Sequence, residues 1–296
     1  MKDARKMTAS VRYDSVFRPG LFEGRTIIVT GGGSGLGRCT AHELKSLGAR
    51  VALVGRTREK LERVKEELGD PDTYIFSADL RREDEVKAAI EGVMRWCGRI
   101  DGLVNNAGGQ FPAPLKDISL NGWNAVVANN MTATFLVSKA VYLASMEANG
   151  GVIVNVGADF ELGNPGMAHN GAARAGQTNF TYSASIEWAH SGVRVNSVIP
   201  GFIASSGFDR YPERAHEALR SVKDRIPAKR HGTESEIAAA IVYLLSDAAA
   251  YVTGATLRVD GGLHNYGKST FYQVPDHDNS KPFNGFPLYR PPKVLE

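Results

Sequence analysis

A cluster of glycines lies between an apolar run and an amphipathic segment, and its position points to a binding chemistry. Residues 30–37 read TGGGSGLG; they follow the β-branched run at residues 25–30 and lead into apolar positions at helical spacing. At such a strand–turn–helix, glycines let the backbone approach a pyrophosphate, whose charge is met by amide N–H groups and the helix N-terminus. The loop predicts a dinucleotide site; a plain connecting loop is the alternative. The loop residues predicted to hold the dinucleotide are Gly31, Ser34, Gly35 and Leu36.

Arg56 follows the second predicted strand, where dinucleotide sites choose between two nucleotides. An acidic residue there holds the ribose 2′-hydroxyl of NAD, whereas an arginine pairs with a 2′-phosphate. Arg56 therefore favours NADP. A solvated surface arginine is the alternative, because Arg58 and Lys60 lie close by.

The elements that must position these residues alternate along the chain. Apolar β-branched runs predict strands at residues 25–30, 50–54, 73–77, 102–105, 152–156, 194–199 and 256–259. Amphipathic stretches predict helices near residues 36–47, 58–68, 84–96, 121–147, 172–190 and 234–246. This alternation predicts a Rossmann-type α/β fold: a doubly wound, seven-stranded parallel sheet with helices on both faces.

Three segments are predicted along the chain. Residues 1–24 form an amino-terminal arm, residues 25–263 one Rossmann-fold domain, and residues 264–296 a tail rich in Pro, Asn, Tyr and Phe. The tail is either a surface arm or a segment whose aromatic side chains dock on a neighbouring subunit. Within the domain, residues 201–231 have weak periodicity and are expected to cover the site as a loop with short helices.

Composition excludes several classes of protein. A net charge of +3 over 296 residues is too small to predict nucleic-acid binding. Cys39 and Cys97 cannot form a disulfide framework, and neither has metal-site spacing. The arm has no apolar core of signal-peptide length, and no run is long enough to span a membrane. We expect a cytoplasmic protein with a small-molecule substrate, no metal, and neither a nucleic acid nor a membrane as partner.

Further motifs at strand ends resemble those of the short-chain dehydrogenase/reductase superfamily. They are Asp79-Leu80 after the third strand, NNAG at residues 105–108 after the fourth, Asn130 in the next helix, and Pro200-Gly201 after the sixth. The resemblance spans about residues 24–262 and implies an NADP-dependent oxidoreductase that forms a homo-oligomer, with a tetramer expected. It also implies the cofactor contacts: Asp79 and Leu80 at the adenine, Asn106 and Gly108 at the adenosine ribose, and Pro200 and Ile203 at the nicotinamide.

The resemblance fails at the catalytic motif. Superfamily members that oxidise alcohols or reduce ketones carry Tyr-x-x-x-Lys after the fifth strand, with a serine upstream. Alignment on residues 187–189 and 193–196 places Asn170 at the tyrosine position and Arg174 at the lysine position, with Gly157 or Ala158 at the serine position. An amide does not titrate near neutral pH, and Gly or Ala offers no hydroxyl. Ordinary ketone reduction is therefore not predicted.

Four stretches resemble, more narrowly, the peroxisomal trans-2-enoyl-CoA reductases and the related 2,4-dienoyl-CoA reductases. They are residues 106–111, 169–176, 226–230 and 272–279, the last lying in the tail. The resemblance implies a role in lipid metabolism: NADPH-dependent reduction of a C=C bond conjugated to a thioester. Such a reaction needs donors that hold the carbonyl as it becomes enolate-like, while water can protonate carbon.

That branch carries a Tyr-x-x-x-Lys pair eight residues further along the same helix, where this sequence has Thr178 and Tyr182. Eight helical residues rise about 12 Å. We therefore interpret these two positions as pointing away from a cofactor reached by Arg174. Gln110 and Phe111 are expected on the substrate side of the pocket.

Four residues are candidates for catalytic work, each with a structural alternative. Asn130 forms a polar relay or kinks its helix. Arg174 binds the nicotinamide ribose and adds positive charge near an enolate, or forms a surface salt bridge. Asp159 relays protons if desolvation raises its pKa, or caps a turn. Asn170 donates a hydrogen bond to the thioester carbonyl, or caps its helix.

Three other functions stay open. One is an NADP-binding pseudoenzyme that acts through an interface, and another is a reductase of terpenoid or steroid enones. The third is a cofactor-free lyase resembling the halohydrin dehalogenases, which also place arginine at the lysine position. Those enzymes need the tyrosine and replace the glycine loop with a halide pocket, and this sequence shows the reverse on both counts.

Overall fold

Seven β-branched runs among the described residues form a single parallel sheet. The computed structural model describes residues 12–268 and 272–296. The strands are β1 (Thr26–Thr30), β2 (Arg50–Gly55), β3 (Tyr74–Ser77), β4 (Gly102–Asn105), β5 (Gly151–Val156), β6 (Val193–Pro200) and β7 (Thr256–Val259). Their order is β3-β2-β1-β4-β5-β6-β7. The predicted Rossmann-type doubly wound fold is confirmed.

Helices cover both faces of the sheet, which is why its central strands are apolar without alternation. Every residue of β1 and β4 is buried. On one face Leu44 and Ile241 pack against the strands, and on the other face Ile90 and Val137 do so. The sheet therefore lies between two apolar layers.

The described helices are α1 (Gly35–Ser46), α2 (Arg58–Leu68), α3 (Glu83–Cys97), α4 (Leu120–Val127), α5 (Ala133–Val141), α6 (Glu147–Asn149), α7 (Ala168–Glu187), α8 (His216–Ser221), α9 (Glu234–Leu245) and α10 (Leu263–Tyr266). The helices predicted near residues 36–47, 58–68, 84–96 and 234–246 match α1, α2, α3 and α9 to within one residue at each end. None of the helices in the described ranges is long and apolar enough to cross a membrane.

Two helical predictions differ from the structure. The helix expected near residues 121–147 is interrupted by π-helical turns at Ala128–Thr132 and Tyr142–Met146. The helix expected from residue 172 begins at Ala168 instead. The second difference brings Asn170 into the first turn of α7, one turn before Arg174.

Short turns make up the segment between β6 and α9. The 3₁₀ turns Phe208–Arg210, Glu213–Ala215 and Val222–Arg225 flank α8. This agrees with the expectation of a loop with short helices over the site.

The arm and the tail pack together on the body of their own chain. Tyr13 and Phe286 are both buried and stack with ring centroids 6.2 Å apart. The backbone N–H of Asp14 donates to the carbonyl of Gly285 at 2.8 Å. Further along the tail, Val294 is 3% exposed and contacts Phe208. Residues 1–11 of the arm and 269–271 of the tail lie outside the described residues.

Candidate active site

The glycine loop after β1 packs closely against the loop after β4. Gly31 has a positive φ of 66°, and a Cβ there would lie 2.9 Å from Nδ2 of Asn106. A Cβ on Gly37 would lie 2.5 Å from the same nitrogen. Thr30 Oγ1 accepts the backbone N–H groups of Asn106 and Ala107 at 3.0 Å each. Only glycine fits at positions 31 and 37. We call the surface formed by the loops after β1 and β4 the cleft floor.

A cleft lies above this floor at the carboxyl ends of the strands, where doubly wound sheets bind ligands. Most of the predicted cofactor residues line it: Gly31, Ser34, Leu36, Arg56, Asp79, Leu80, Asn106 and Gly108. Sequence reasoning missed Asn129 and Arg210, which line it as well. Asn129 neighbours Asn130 in sequence, whereas nothing in the weakly periodic segment around Arg210 indicated that it reaches the cleft.

The remaining predicted cofactor residues, Gly35, Arg174, Pro200 and Ile203, are not among the residues that line that cleft. Gly35, with a φ of 55°, is the first residue of α1. Ile203 lines a neighbouring cavity at the ends of β6 and β7, and Pro200 pairs with Val259 in the wall of the same cavity. The nicotinamide contacts of Pro200 and Ile203 stay predictions.

The charges at the β2–β3 end of the cleft suit an anion. Arg56 is exposed, lines the cleft with Lys60, and forms no ion pair with any residue in the described part of the chain. Asp79 lies beside them, and hydrogen bonds from Arg81 lower its pKa to about 2. Asp79 is therefore ionised and already paired, which leaves the guanidinium of Arg56 available.

Asn130 is fully buried in the first π-helical turn and clamps the loop after β4. Its Nδ2 donates to the carbonyls of Gly109 and Val126, both at 2.8 Å, and its Oδ1 accepts the N–H of Gly109 at 3.0 Å. The side chain thus holds Gly109 by both backbone groups. The relay role proposed for Asn130 stays a prediction; the contacts observed are those of a positioning residue.

Arg174 is a buried guanidinium held by neutral oxygen atoms. It is 7% exposed, and its Nη1 donates to the carbonyl of Val156 at 2.9 Å and to Oε1 of Gln177 at 3.0 Å. No carboxylate of the described chain pairs with it, so the surface salt bridge considered above is wrong. Burial lowers the pKa of Arg174 to about 10. It therefore keeps its charge near neutral pH, and its Nε has no hydrogen-bond partner.

A hydrogen-bonded chain links Arg174 to Asn130. Gln177 Nε2 donates to Thr134 Oγ1 at 2.9 Å, and Thr134 Oγ1 donates to the carbonyl of Asn130 at 2.9 Å. A Cβ on Gly108 would lie 2.7 Å from both Arg174 Nη2 and Asn130 Oδ1, so both side chains border the cleft floor. Sequence reasoning missed Gln177 and Thr134. Their spacing from Arg174 and Asn130, three and four residues along a helix, was the available signal.

Asn170 lies on the same face of α7 as Arg174. Its side chain is buried, and its Oδ1 has no partner. The helix-capping alternative is wrong, because Met167 occupies the N-cap position and Asn170 lies inside the first turn. The preceding residue, His169, is also buried and meets the ring of Phe111 edge-on at 4.6 Å.

Asp159 does not meet the condition on which its relay role depended. Burial alone would raise the pKa of Asp159, but the hydrogen bond and charge of His264 outweigh it and lower the pKa. Its Oδ2 lies 2.9 Å from Nδ1 of His264, and its Oδ1 accepts the N–H of Phe160 at 2.9 Å. The expected rise in pKa is therefore wrong, and the contacts match the turn-capping alternative.

The two positions further along α7 lie away from these groups. Tyr182 is 43% exposed and contacts Thr256 of β7 through its hydroxyl at 3.3 Å, while Thr178 is buried. Gln110 donates from its Nε2 to the hydroxyl of Tyr211 at 3.3 Å, and its expected place on the substrate side of the pocket stays a prediction. The contacts of Tyr182 support the interpretation that this pair does not serve the cleft.

The residues present fit a nicotinamide dinucleotide. In the cleft floor, a side chain at Gly31 or Gly37 would collide with Asn106, so bare backbone faces the place where a diphosphate must approach. In α7, three buried polar atoms have no hydrogen-bond partner: His169 Nε2, Asn170 Oδ1 and Arg174 Nε. Unsatisfied buried polar atoms are rare unless a ligand or water completes them.

Comparisons with known proteins agree with this geometry. Residues 31–264 match a family model described as enoyl-(acyl carrier protein) reductase. The chain is 34% identical over 257 residues to a peroxisomal 2,4-dienoyl-CoA reductase of Danio rerio, covering 85% of each protein. It is 37% identical over 246 residues to a 3-oxoacyl-(acyl-carrier-protein) reductase of Thermotoga maritima, covering 81% of this chain and 98% of the relative.

A solved structure extends the similarity. The citronellol catabolism dehydrogenase of Pseudomonas aeruginosa is 50% identical, with a TM-score of 0.76 over 85% of this chain and 99% of that chain. The relatives thus include both a C=C reductase and a ketone reductase, so they indicate the family rather than the substrate. The chain belongs to the short-chain dehydrogenase/reductase family of NAD(P)-dependent oxidoreductases.

Proposed function

We propose that this protein uses NADPH to reduce a C=C bond conjugated to a carbonyl, with an enoyl thioester as its substrate. The observation that carries the proposal is the pair Asn170 and Arg174, buried where ketone-reducing members place tyrosine and lysine. Neither side chain delivers a proton near neutral pH. Both offer polar groups to an oxygen that gains negative charge. The similarity to a 2,4-dienoyl-CoA reductase supports the same reaction class.

The bound dinucleotide supplies a hydride for the β-carbon of the substrate. Negative charge then develops on the carbonyl oxygen, and fixed positive groups stabilise it best when they need not reorganise. Arg174 meets this requirement, because Val156 and Gln177 hold its Nη1 while its charge has no carboxylate partner in the described structure. The amide of Asn170, one helical turn away, donates a hydrogen bond to the same oxygen. Water protonates the α-carbon.

A steady-state assay tests this proposal. The purified protein is mixed with NADPH and one of three substrates: a 2-enoyl-CoA, the matching 3-oxoacyl-CoA or a simple ketone. We expect loss of NADPH absorbance with the enoyl thioester alone, and strong loss of that activity in Arg174→Gln but not in Arg95→Gln, whose arginine is exposed on α3. Faster turnover of the 3-oxoacyl-CoA would contradict the proposal.

A terpenoid enone is the second candidate substrate, and the 50% identity to a citronellol catabolism dehydrogenase favours it. The same residues would serve a free enone or enal, because only the group attached to the carbonyl differs. The assay separates the two candidates when a branched acyclic enal is compared with its own CoA thioester. Tight NADPH binding without turnover of either compound would instead indicate a pseudoenzyme.

A further inference from the structure

Arg210 is a cation in the wall of the nucleotide cleft that no predicted role uses. It belongs to the 3₁₀ turn Phe208–Arg210 and lines the cleft together with Ser34, Asn106 and Asn129. The residue is exposed, and its guanidinium forms no ion pair within the described ranges. An unpaired guanidinium in a cleft whose floor presents amide groups attracts phosphate oxygens.

The order of the strands places Arg210 on the opposite flank from Arg56. Arg56 follows β2, whereas Arg210 follows β6, and the glycine loop follows β1 between these two strands. A dinucleotide that lies across the strand ends has its diphosphate over the loop after β1. Arg210 therefore approaches that diphosphate from the β6 side, while Arg56 serves the adenosine end.

The last residues of the chain hold the turn that carries Arg210. Val294 packs with Phe208 and Leu219 in a small buried cluster. The N–H of Val294 donates to Oδ1 of Asp209 at 3.2 Å, and its carbonyl accepts Nε of Arg220 at 2.6 Å. The turn Lys293–Leu295 thus contacts both residues that precede Arg210.

We propose that Arg210 binds the diphosphate of the nicotinamide dinucleotide and that the terminal turn Lys293–Leu295 positions it for this contact. The inference requires only the NAD(P) cofactor of the family, so it is independent of which carbonyl compound is reduced. It gives the tail a function within its own chain.

Equilibrium binding tests the first part without any turnover. Arg210→Gln should raise the Kd for both NADPH and NADH by about tenfold or more, because both nucleotides carry the diphosphate. Arg214→Gln, an exposed arginine of the next 3₁₀ turn that does not line the cleft, should leave both values unchanged. A Kd for NADPH that stays constant in Arg210→Gln would overturn the assignment. So would weaker binding of coenzyme A alone, because that would assign Arg210 to the phosphates of the substrate.

A double-mutant cycle tests the second part. Asp209→Ala removes the acceptor for the N–H of Val294, and a chain that lacks residues 291–296 removes the whole turn. Each should weaken NADPH binding in the presence of Arg210 and cause no further loss in Arg210→Gln, because residues that act through one contact are not additive. Losses that add fully would overturn the positioning role. Circular dichroism of each variant establishes that it is folded, and Asp209→Ala tests the role should the shortened chain unfold.

Discussion

The guanidinium of Arg174 is buried without a counter-charge, which is unfavourable for folding. We therefore expect its charge to serve a bound ligand. We expect Arg174→Met to change the free energy of unfolding by less than about 2 kcal/mol, since an unpaired buried cation is lost together with two hydrogen bonds. Turnover should fall by about a hundredfold or more. Chemical denaturation and steady-state kinetics measure the two effects. A large loss of stability with normal activity would assign Arg174 a purely structural role.

Arg56 is the residue that distinguishes the two nucleotides in this account. Arg56→Asp should raise the Kd for NADPH by about a hundredfold, because a charge-assisted bidentate contact becomes a repulsion. NADH lacks the 2′-phosphate and should change little. Fluorescence titration with each nucleotide gives both values. Equal losses for NADPH and NADH would remove the assignment of Arg56 to the 2′-phosphate.

How well a site residue could be predicted depended on how local its environment is. The residues after β1 to β4 were predictable, because the ends of parallel strands meet at one edge of the sheet. Asp159 was not, since its pKa depends on His264, which lies 105 positions away in sequence. Gln177 and Thr134 carried only the weak signal of their helical spacing, because a polar side chain on a helix face has the same sequence pattern whether it is buried or solvated.

The π-helical turn between α4 and α5 concentrates the polar contacts that hold the cleft floor. Asn130 satisfies the N–H and the carbonyl of Gly109 from this turn. Asn130→Ala would leave those backbone groups without partners, and we expect it to lower the free energy of unfolding by about 2 to 3 kcal/mol. It should also weaken NADPH binding. Asn124→Ala, at an exposed position of α4, is the control. An unchanged free energy of unfolding in Asn130→Ala would show that the hydrogen bonds from Asn130 to Gly109 do not stabilise the fold.

The π-helical turns themselves were beyond sequence reasoning. A single extra residue in one helical turn barely alters the spacing of apolar positions, so the pattern over residues 121–147 predicts one continuous helix. The start of α7 was missed for a different reason. His169 and Asn170 are polar yet buried, and the pattern assigned them to a loop.

Helix α1 carries a buried carboxyl that makes stability depend on pH. Burial raises the pKa of Glu43 to about 7, against its usual 4.5, although Ser15 and Tyr13 donate hydrogen bonds to it. Between these two values the unfolded chain has lost this proton while the folded chain keeps it. The free energy of unfolding therefore falls as pH rises through this window, by about 3 kcal/mol for this group.

Glu43→Gln removes that dependence. The variant should gain stability relative to the wild type between about pH 5 and pH 8, as measured by urea denaturation across this range. A smaller slope should remain, because burial also raises the pKa of Glu234 in α9 to about 7. Glu66→Gln, at an exposed position of α2, should show no such gain. A stability difference that is constant with pH would refute the raised pKa of Glu43.

At the scale of the whole molecule, the sheet could be predicted from the sequence, whereas the packing of the tail could not. Buried parallel strands have a pattern that few other structures share, and right-handed crossovers leave little choice of topology. The tail has no periodicity, because its aromatic side chains pack singly into gaps such as the one between Tyr13 and Arg38 that Phe286 fills. Only the folded body defines those gaps, so no local pattern could reveal them.

Isotope transfer tests whether this molecule adds hydride to the β-carbon of an enoyl thioester and takes the second hydrogen from solvent, rather than reducing a ketone. NADPH deuterated at its transferable position is reacted with a 2-enoyl-CoA in ordinary water, and the reaction is repeated with unlabelled NADPH in heavy water. We predict one deuterium on the β-carbon of the saturated product in the first case and one on the α-carbon in the second. Deuterium on the carbinol carbon of an alcohol formed from a ketone, with the enoyl thioester unreacted, would contradict the account.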